Sequence, residues 1–137
     1  NIPAGPPASA VTNAFATIGA DKIKILEFSD ADIKKIQASY PVWTRFVIKS
    51  ETYPGLKKNV YTIAQPNLLV CSKDTPEEVV YLLTKIIYEN LAFLHSVHKA
   101  TLAMSLQKAI DGLPMPLHPG AAKFYREKGI KIPDRLI

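Results

Sequence analysis

A proline lies in the middle of the most strand-like segment of this 137-residue chain. Nearly every residue from Val60 to Val70 suits an extended backbone, yet Pro66 has no N–H to donate to a sheet ladder. Proline in a strand is typical of an edge, of a bulge or of the first residue of a strand. We therefore predict a long strand that changes domains at Pro66.

The segments around this strand alternate between strand-like and helix-like patterns. That alternation predicts an α/β fold with a mainly parallel sheet. Strands are predicted at residues 22–28, 42–50 and 60–70, and the clearest helices at residues 7–18, 29–40 and 75–97, with two shorter helices near residues 105–112 and 121–129. Three strands are few for five helices, so we expect the sheet to be incomplete and the chain to be the later part of a larger protein.

Two helix starts carry capping signals. Ser29 with Asp32 three residues later is a variant of the capping box, and Thr75 with Glu78 is a full one, with Pro76 at the first helical position. The helix that follows Thr75 is expected to run for about twenty residues, or roughly 30 Å. Its predicted buried stripe consists of Val79, Leu83, Ile86, Ile87, Leu91 and Leu94.

Composition excludes several classes of protein. The net charge of +5 comes from 17 Lys and Arg against 12 Asp and Glu, but the basic residues are scattered and form no stripe of the kind that binds nucleic acid. No apolar run reaches the length of a membrane-spanning helix. The start, "NIPAGPPASA", lacks the features of a signal peptide and is expected to be a processed end.

Cysteine and histidine could suggest a metal site, but their spacing does not favour one. The single cysteine, Cys71, excludes an internal disulfide. His95 and His98 are three residues apart on the predicted long helix, about 30 Å from Cys71, and have no acidic third ligand nearby. Histidines at the end of a helix are more simply explained by the helix dipole. We predict no metal, no cofactor and no catalytic residues, since the chain also lacks a nucleophile elbow and a phosphate loop.

A binding site is the remaining possibility. Gly5, Pro7, Ala8 and Ser9 form the turn and the start of the first helix, whose free N–H groups can hold a carboxylate or phosphate. Tyr53, on a rigid Tyr-Pro-Gly turn, offers a hydroxyl group. The alternatives are a plain helix start with nothing bound and a tyrosine that covers the edge of the sheet.

Several stretches resemble the C-terminal part of TAXI-type solute receptors, which serve tripartite ATP-independent periplasmic (TRAP) transporters and are called immunogenic proteins in some bacteria. The resemblance covers nearly the whole chain. Its most specific parts are Thr52-Tyr53-Pro54-Gly55, the Pro66 strand with the Pro76-Glu77-Glu78 helix start, and "PLHPGAAKFYREKG". The chain departs from the family pattern at Gly5-Pro6-Pro7 and at Lys49-Ser50-Glu51, near the expected cleft.

The resemblance implies part of a type II periplasmic-binding-protein fold, incomplete without an N-terminal part. Residues 1–58 would belong to the second lobe, residues 59–70 to the strand that crosses the hinge, and residues 71–137 to a helical part that returns to the first lobe. It also implies a periplasmic or extracytoplasmic receptor for a small organic anion, an amino acid such as glutamate or a dicarboxylate, with membrane permease subunits as partners. An antigenic surface protein or a periplasmic sensor on the same fold stays open.

Overall fold

A computed structural model describes residues 5–137. Its helices and strands are α1 (Ser9–Ile18), α2 (Asp30–Ser39), β1 (Thr44–Ile48), β2 (Val60–Ala64), α3 (Glu77–Glu89), α4 (Leu91–Val97) and α5 (Pro119–Glu127). Three short 3-10 helices lie at Lys99–Ala103, Leu106–Lys108 and Asp134–Leu136. The chain divides into two compact units, Asn1–Gln65 and Pro66–Ile137.

The first unit is built on a two-stranded sheet. β1 and β2 pair antiparallel, with Thr44 opposite Ala64 and Ile48 opposite Val60. Mixed helices and a small sheet are compatible with an α/β fold, but the mainly parallel sheet that the alternation predicts is not found among the described residues. The prediction of parallel pairing was wrong for β1 and β2. The loop between them lets β2 run back along β1 in the opposite direction, whereas a parallel pair needs a longer crossover connection.

Two predicted strands are corrected by the structure. The strand predicted at residues 60–70 ends at Ala64, two residues before Pro66, so the proline lies outside the ladder. Residues 22–28 belong to no described strand. The Phe28 N–H donates to the Tyr61 carbonyl at 2.9 Å and the Tyr61 N–H to the Glu27 carboxylate at 3.2 Å, while Ile23 and Ile25 pack against the core. Alternation in this segment therefore reflects which side chains point inward, not strand pairing.

The core of the first unit contains Phe15, Ile48, Tyr53 and Val60, all buried. Ile48 and Val60 share one face of the sheet, because they are opposite each other in the register. The ring of Phe15, from α1, stacks on that of Tyr53 with 5.4 Å between the centroids. This contact fixes α1 on the turn that precedes β2.

The predicted capping box at the start of α2 is confirmed. The Ser29 hydroxyl accepts the Asp32 N–H, and the Asp32 carboxylate accepts the Ser29 N–H. Hydrogen bonds from the Ser29 side chain and backbone hold the pKa of Asp32 below its usual value. The stabilisation from this carboxylate is therefore present above the pKa of the unfolded state and is lost as pH falls through the lowered pKa.

Replacing Ser29 with Ala should destabilise the first unit by about 1 kcal/mol, since the N3 amide loses its acceptor. The loss should be visible as a lower urea midpoint with an unchanged m-value. Ser39→Ala, at the other end of the same helix, is the matched control and should have little effect. Equal midpoints for Ser29→Ala and Ser39→Ala would contradict the role given to the cap.

The second unit is organised by packing of α3 on α5. Phe124 and Leu136 are fully buried at its centre, together with Ile110 and Tyr125. The Phe124 ring stacks on Tyr88 of α3 with 5.9 Å between the centroids. The C-terminal 3-10 helix thus closes the core, because Leu136 belongs to it.

The long helix differs from its prediction in its start, its continuity and its buried face. It begins at Glu77 with Pro76 as the N-cap and no side-chain capping bond, so the Thr75–Glu78 capping box is absent. It is interrupted at Asn90, whose side-chain amide donates to the Ile86 carbonyl at 2.8 Å. An asparagine side chain that bonds the backbone competes with helix continuation, which explains the break.

The buried face of α3 is also different from the predicted one. Val80 and Thr84 are the buried residues, whereas Val79, Leu82, Leu83 and Ile86 are exposed by between 46% (Leu83) and 54% (Val79). We call these four residues the apolar stripe of α3. The prediction was wrong because α3 is apolar on more than one side, and its packing on α5 selects the side with the smaller residues.

Candidate ligand-binding site

The turn before α1 and the turn before β2 meet at the N-terminus of α1. The N-cap of this helix is Ala8, and its N–H donates to the Tyr53 hydroxyl oxygen at 3.3 Å. The two residues are 45 positions apart and both are buried. The structure thus brings together the two segments that the sequence singles out for binding.

At the N-terminus of α1, two backbone donors have no acceptor in the part of the chain that the structure describes. Within residues 5–137, no side chain caps the helix, and the N–H groups of Ser9 and Ala10 have no acceptor. Ser9 is exposed. The helix dipole places partial positive charge at these amides, so the position suits an anion. Pro7 lies outside the helix, which begins at Ser9 and not at residue 7 as predicted.

Tyr53 is almost completely buried. Only 1% of it is exposed, and its ring is stacked on Phe15. Its hydroxyl oxygen accepts from Ala8, but no described residue accepts the hydroxyl hydrogen. A tyrosine hydroxyl can accept and donate at the same time. Among the described residues, the Tyr53 hydroxyl therefore has an unused donor at the start of α1.

An open groove of about 480 Å³ lies on the other face of the sheet. It is lined by Phe28, Ser29, Asp30, Arg45, Val47 and Tyr61. The Arg45 guanidinium donates to the Phe28 carbonyl at 3.1 Å, pairs with the Asp30 carboxylate, and lies 5.8 Å from the Tyr61 ring centroid. The two charged side chains of the groove, Arg45 and Asp30, are therefore already paired with each other. Sequence reasoning missed these residues because a lone arginine in a strand carries no motif.

The residues considered for metal binding form no candidate metal cluster among the described residues. Cys71 is exposed. His98 caps a 3-10 helix by accepting the Ala100 N–H at 3.1 Å, and His118 caps α5. Within residues 5–137, no group of three or more His, Cys, Asp or Glu side chains is placed to hold a metal ion. In the same part of the chain, every helix is too short or too polar to cross a membrane.

The comparison with known families identifies the class of protein. A family of the periplasmic-binding type, a class of binding proteins and receptors and not of enzymes, matches this chain. The match is to the NMT1-like family and covers residues 1–129, nearly all of the 137 residues. The chain belongs to the NMT1-like family. At a coarse level this supports a solute-binding receptor, and such families are typically extracytoplasmic.

Proposed function

We propose that this chain is part of a TAXI-type extracytoplasmic receptor that delivers a small organic anion, such as glutamate or a dicarboxylate, to the permease subunits of a TRAP transporter. The match to the NMT1-like family over residues 1–129 is the observation that carries this proposal. Within that family, the resemblance of the motifs around Tyr53 and Pro66 to TAXI-type receptors supports the proposed TAXI type. Binding, and not catalysis, is the role.

The proposed binding site is the N-terminus of α1. A carboxylate there would accept from the Ser9 and Ala10 amides and from the Tyr53 hydroxyl, whose oxygen already lies 3.3 Å from the Ala8 nitrogen. Gly5 and Pro7 would shape the turn that admits the anion, and Ala8 would hold Tyr53 in place. Three donors converging on one carboxylate are a common way to bind an anion in proteins.

The two compact units suggest how the receptor is built. We propose that Asn1–Gln65 contributes to one lobe and Pro66–Ile137 to the other, with the chain crossing near Pro66. β2 ends at Ala64, so the proline nitrogen needs no ladder partner. This modifies the sequence-based boundaries at residues 58 and 70.

The function is tested by adding candidate solutes to the complete protein and measuring its melting temperature. Glutamate and succinate should raise it, because a ligand that binds only the folded state stabilises that state. Succinamide, the uncharged diamide of succinate, is the matched neutral solute and should not. An equal response to charged and neutral solutes, or none at all, would favour the antigenic surface protein. A sensor would bind the solute but lie beside a kinase gene instead of a permease gene.

The apolar stripe of α3 marks where a further layer of a lobe would pack. Four neighbouring apolar side chains, each about half exposed, form a surface that soluble monomers rarely leave uncovered. We expect this 137-residue chain, purified alone, to bind a hydrophobic dye and to self-associate through the exposed stripe.

Replacing Leu83 and Ile86 together with Glu should reduce both dye binding and self-association with little loss of stability, since both side chains are already half exposed. Dye fluorescence and light scattering measure the two effects. Val80→Glu is the contrasting variant, because Val80 is buried on the opposite side of α3, and it should unfold the second unit. If the wild-type chain stayed monomeric and bound no dye, the expectation that another layer covers the stripe would be contradicted.

A further inference from the structure

Both ring nitrogens of His118 are engaged in the structure. Its Nδ1 accepts the Gly120 N–H at 3.2 Å and so caps α5, while its Nε2 lies 2.9 Å from the Thr75 carbonyl oxygen. A backbone amide can only donate and a carbonyl can only accept. The ring hydrogen must therefore be on Nε2, and Nδ1 must carry none. The geometry requires a neutral imidazole of one defined tautomer.

We propose that His118 is a proton-sensitive clasp, which ties the start of α5 to the segment before α3 and opens when Nδ1 takes up a proton. A proton on Nδ1 would point at the Gly120 N–H, so the capping bond would be replaced by two opposed donors. It would also put positive charge at the N-terminus of α5, where the helix dipole disfavours a cation. The Thr75 carbonyl could still accept from Nε2.

The contact beside the clasp leaves little room for adjustment. A Cβ placed on Gly120 would lie 2.2 Å from the Glu77 carbonyl oxygen and 2.7 Å from the Tyr81 nitrogen. The backbones of α5 and α3 are therefore in direct contact at Gly120, two residues from His118. If the first turn of α5 moves to relieve the opposed donors, this contact must separate as well. The clasp thus controls the closest approach of the two helices.

The neighbouring charged groups do not replace the lost acceptor. Lys73 and Asp74, in the turn before α3, pair with each other at 3.0 Å. Glu77 and Glu78 in the first turn of α3 are exposed and favour a cation nearby, while Lys123 on α5 is exposed and disfavours one. None of these groups accepts the Gly120 N–H. The clasp does not depend on the proposed solute-binding function.

The first experiment uses the wild-type chain labelled with ¹⁵N. Ring nitrogen shifts at about pH 7.5 should show His118 with its hydrogen on Nε2. Exchange of the Gly120 amide, corrected for its intrinsic pH dependence, should be roughly fivefold faster at about pH 5, the effect of losing one N-cap. The Nδ1–H tautomer at neutral pH, or unchanged protection on acidification, would overturn the proposal.

Two variants separate the cap from the tie to Thr75. His118→Asn keeps an acceptor where Nδ1 lies but does not titrate, so protection of Gly120 should become insensitive to pH in the same range. His118→Gln keeps a donor for the Thr75 carbonyl but loses the cap, so exchange should be fast at both pH values. A pH dependence in His118→Asn equal to that of wild type would overturn the proposal. His98→Asn is the control variant. His98 caps the separate 3-10 helix Lys99–Ala103, so this change should leave exchange of the Gly120 amide as it is in wild type.

Discussion

Gly120→Ala should destabilise the second unit by about 3 kcal/mol or more. The added methyl group would lie 2.2 Å from the Glu77 carbonyl oxygen and 2.7 Å from the Tyr81 nitrogen. Both atoms belong to the α3 backbone, so no side chain can rotate away. The helices α3 and α5 would have to separate, and their shared core around Phe124 would open.

Gly129→Ala is the matched control for this prediction. Gly129 follows α5 and has a φ of 76°, but nothing lies within 4 Å of an added Cβ. The control therefore measures the cost of a left-handed backbone without a clash, which is about 1–2 kcal/mol. Urea unfolding of both variants, followed by far-UV circular dichroism, compares them. If Gly120→Ala proved no worse than Gly129→Ala, the close contact of the two helices would be wrong.

Local signals in the sequence predicted several local features, although the Thr75–Glu78 capping box does not form. The Ser29–Asp32 capping box forms as expected, because its two hydrogen bonds join residues three positions apart. Gly19, a residue type common just after a helix, follows α1 with a φ of 98° and donates to the Phe15 carbonyl. Such features need only a few neighbouring residues. They can therefore be read without knowing the rest of the fold.

Features that depend on distant partners were not predictable in the same way. The apolar residues of α3 occupy several sides of the helix, and only packing against Gly120 and Phe124 of α5 decides that Val80 is buried and Leu83 is not. Residues 22–28 alternate like a strand, but alternation cannot supply a pairing partner. The same limit applies to the candidate site. The sequence pointed to both Ala8 and Tyr53 as candidate site residues. It did not predict that the Ala8 N–H donates to the Tyr53 hydroxyl oxygen.

Replacing Tyr53 with Phe should weaken binding of the proposed organic anion by about ten- to hundredfold in the complete protein. The hydroxyl hydrogen has no acceptor among the described residues, and a hydrogen bond from it to a carboxylate is worth about 1.5–3 kcal/mol. The ring would be unchanged and would still stack on Phe15. Calorimetry with glutamate and with succinate, well below the melting temperature, measures the effect.

The same substitution has a second effect that must be measured separately. Without the hydroxyl, the buried Ala8 N–H loses its acceptor, which should destabilise the first unit by about 1–3 kcal/mol. Tyr61→Phe is the matched control, since Tyr61 lines the groove on the opposite face of the sheet and should leave affinity unchanged. If Tyr53→Phe lowered stability but kept wild-type affinity, Tyr53 would only fasten the start of α1 to the core. If affinity fell in Tyr53→Phe and not in Tyr61→Phe, the result would support contact between the Tyr53 hydroxyl and the ligand.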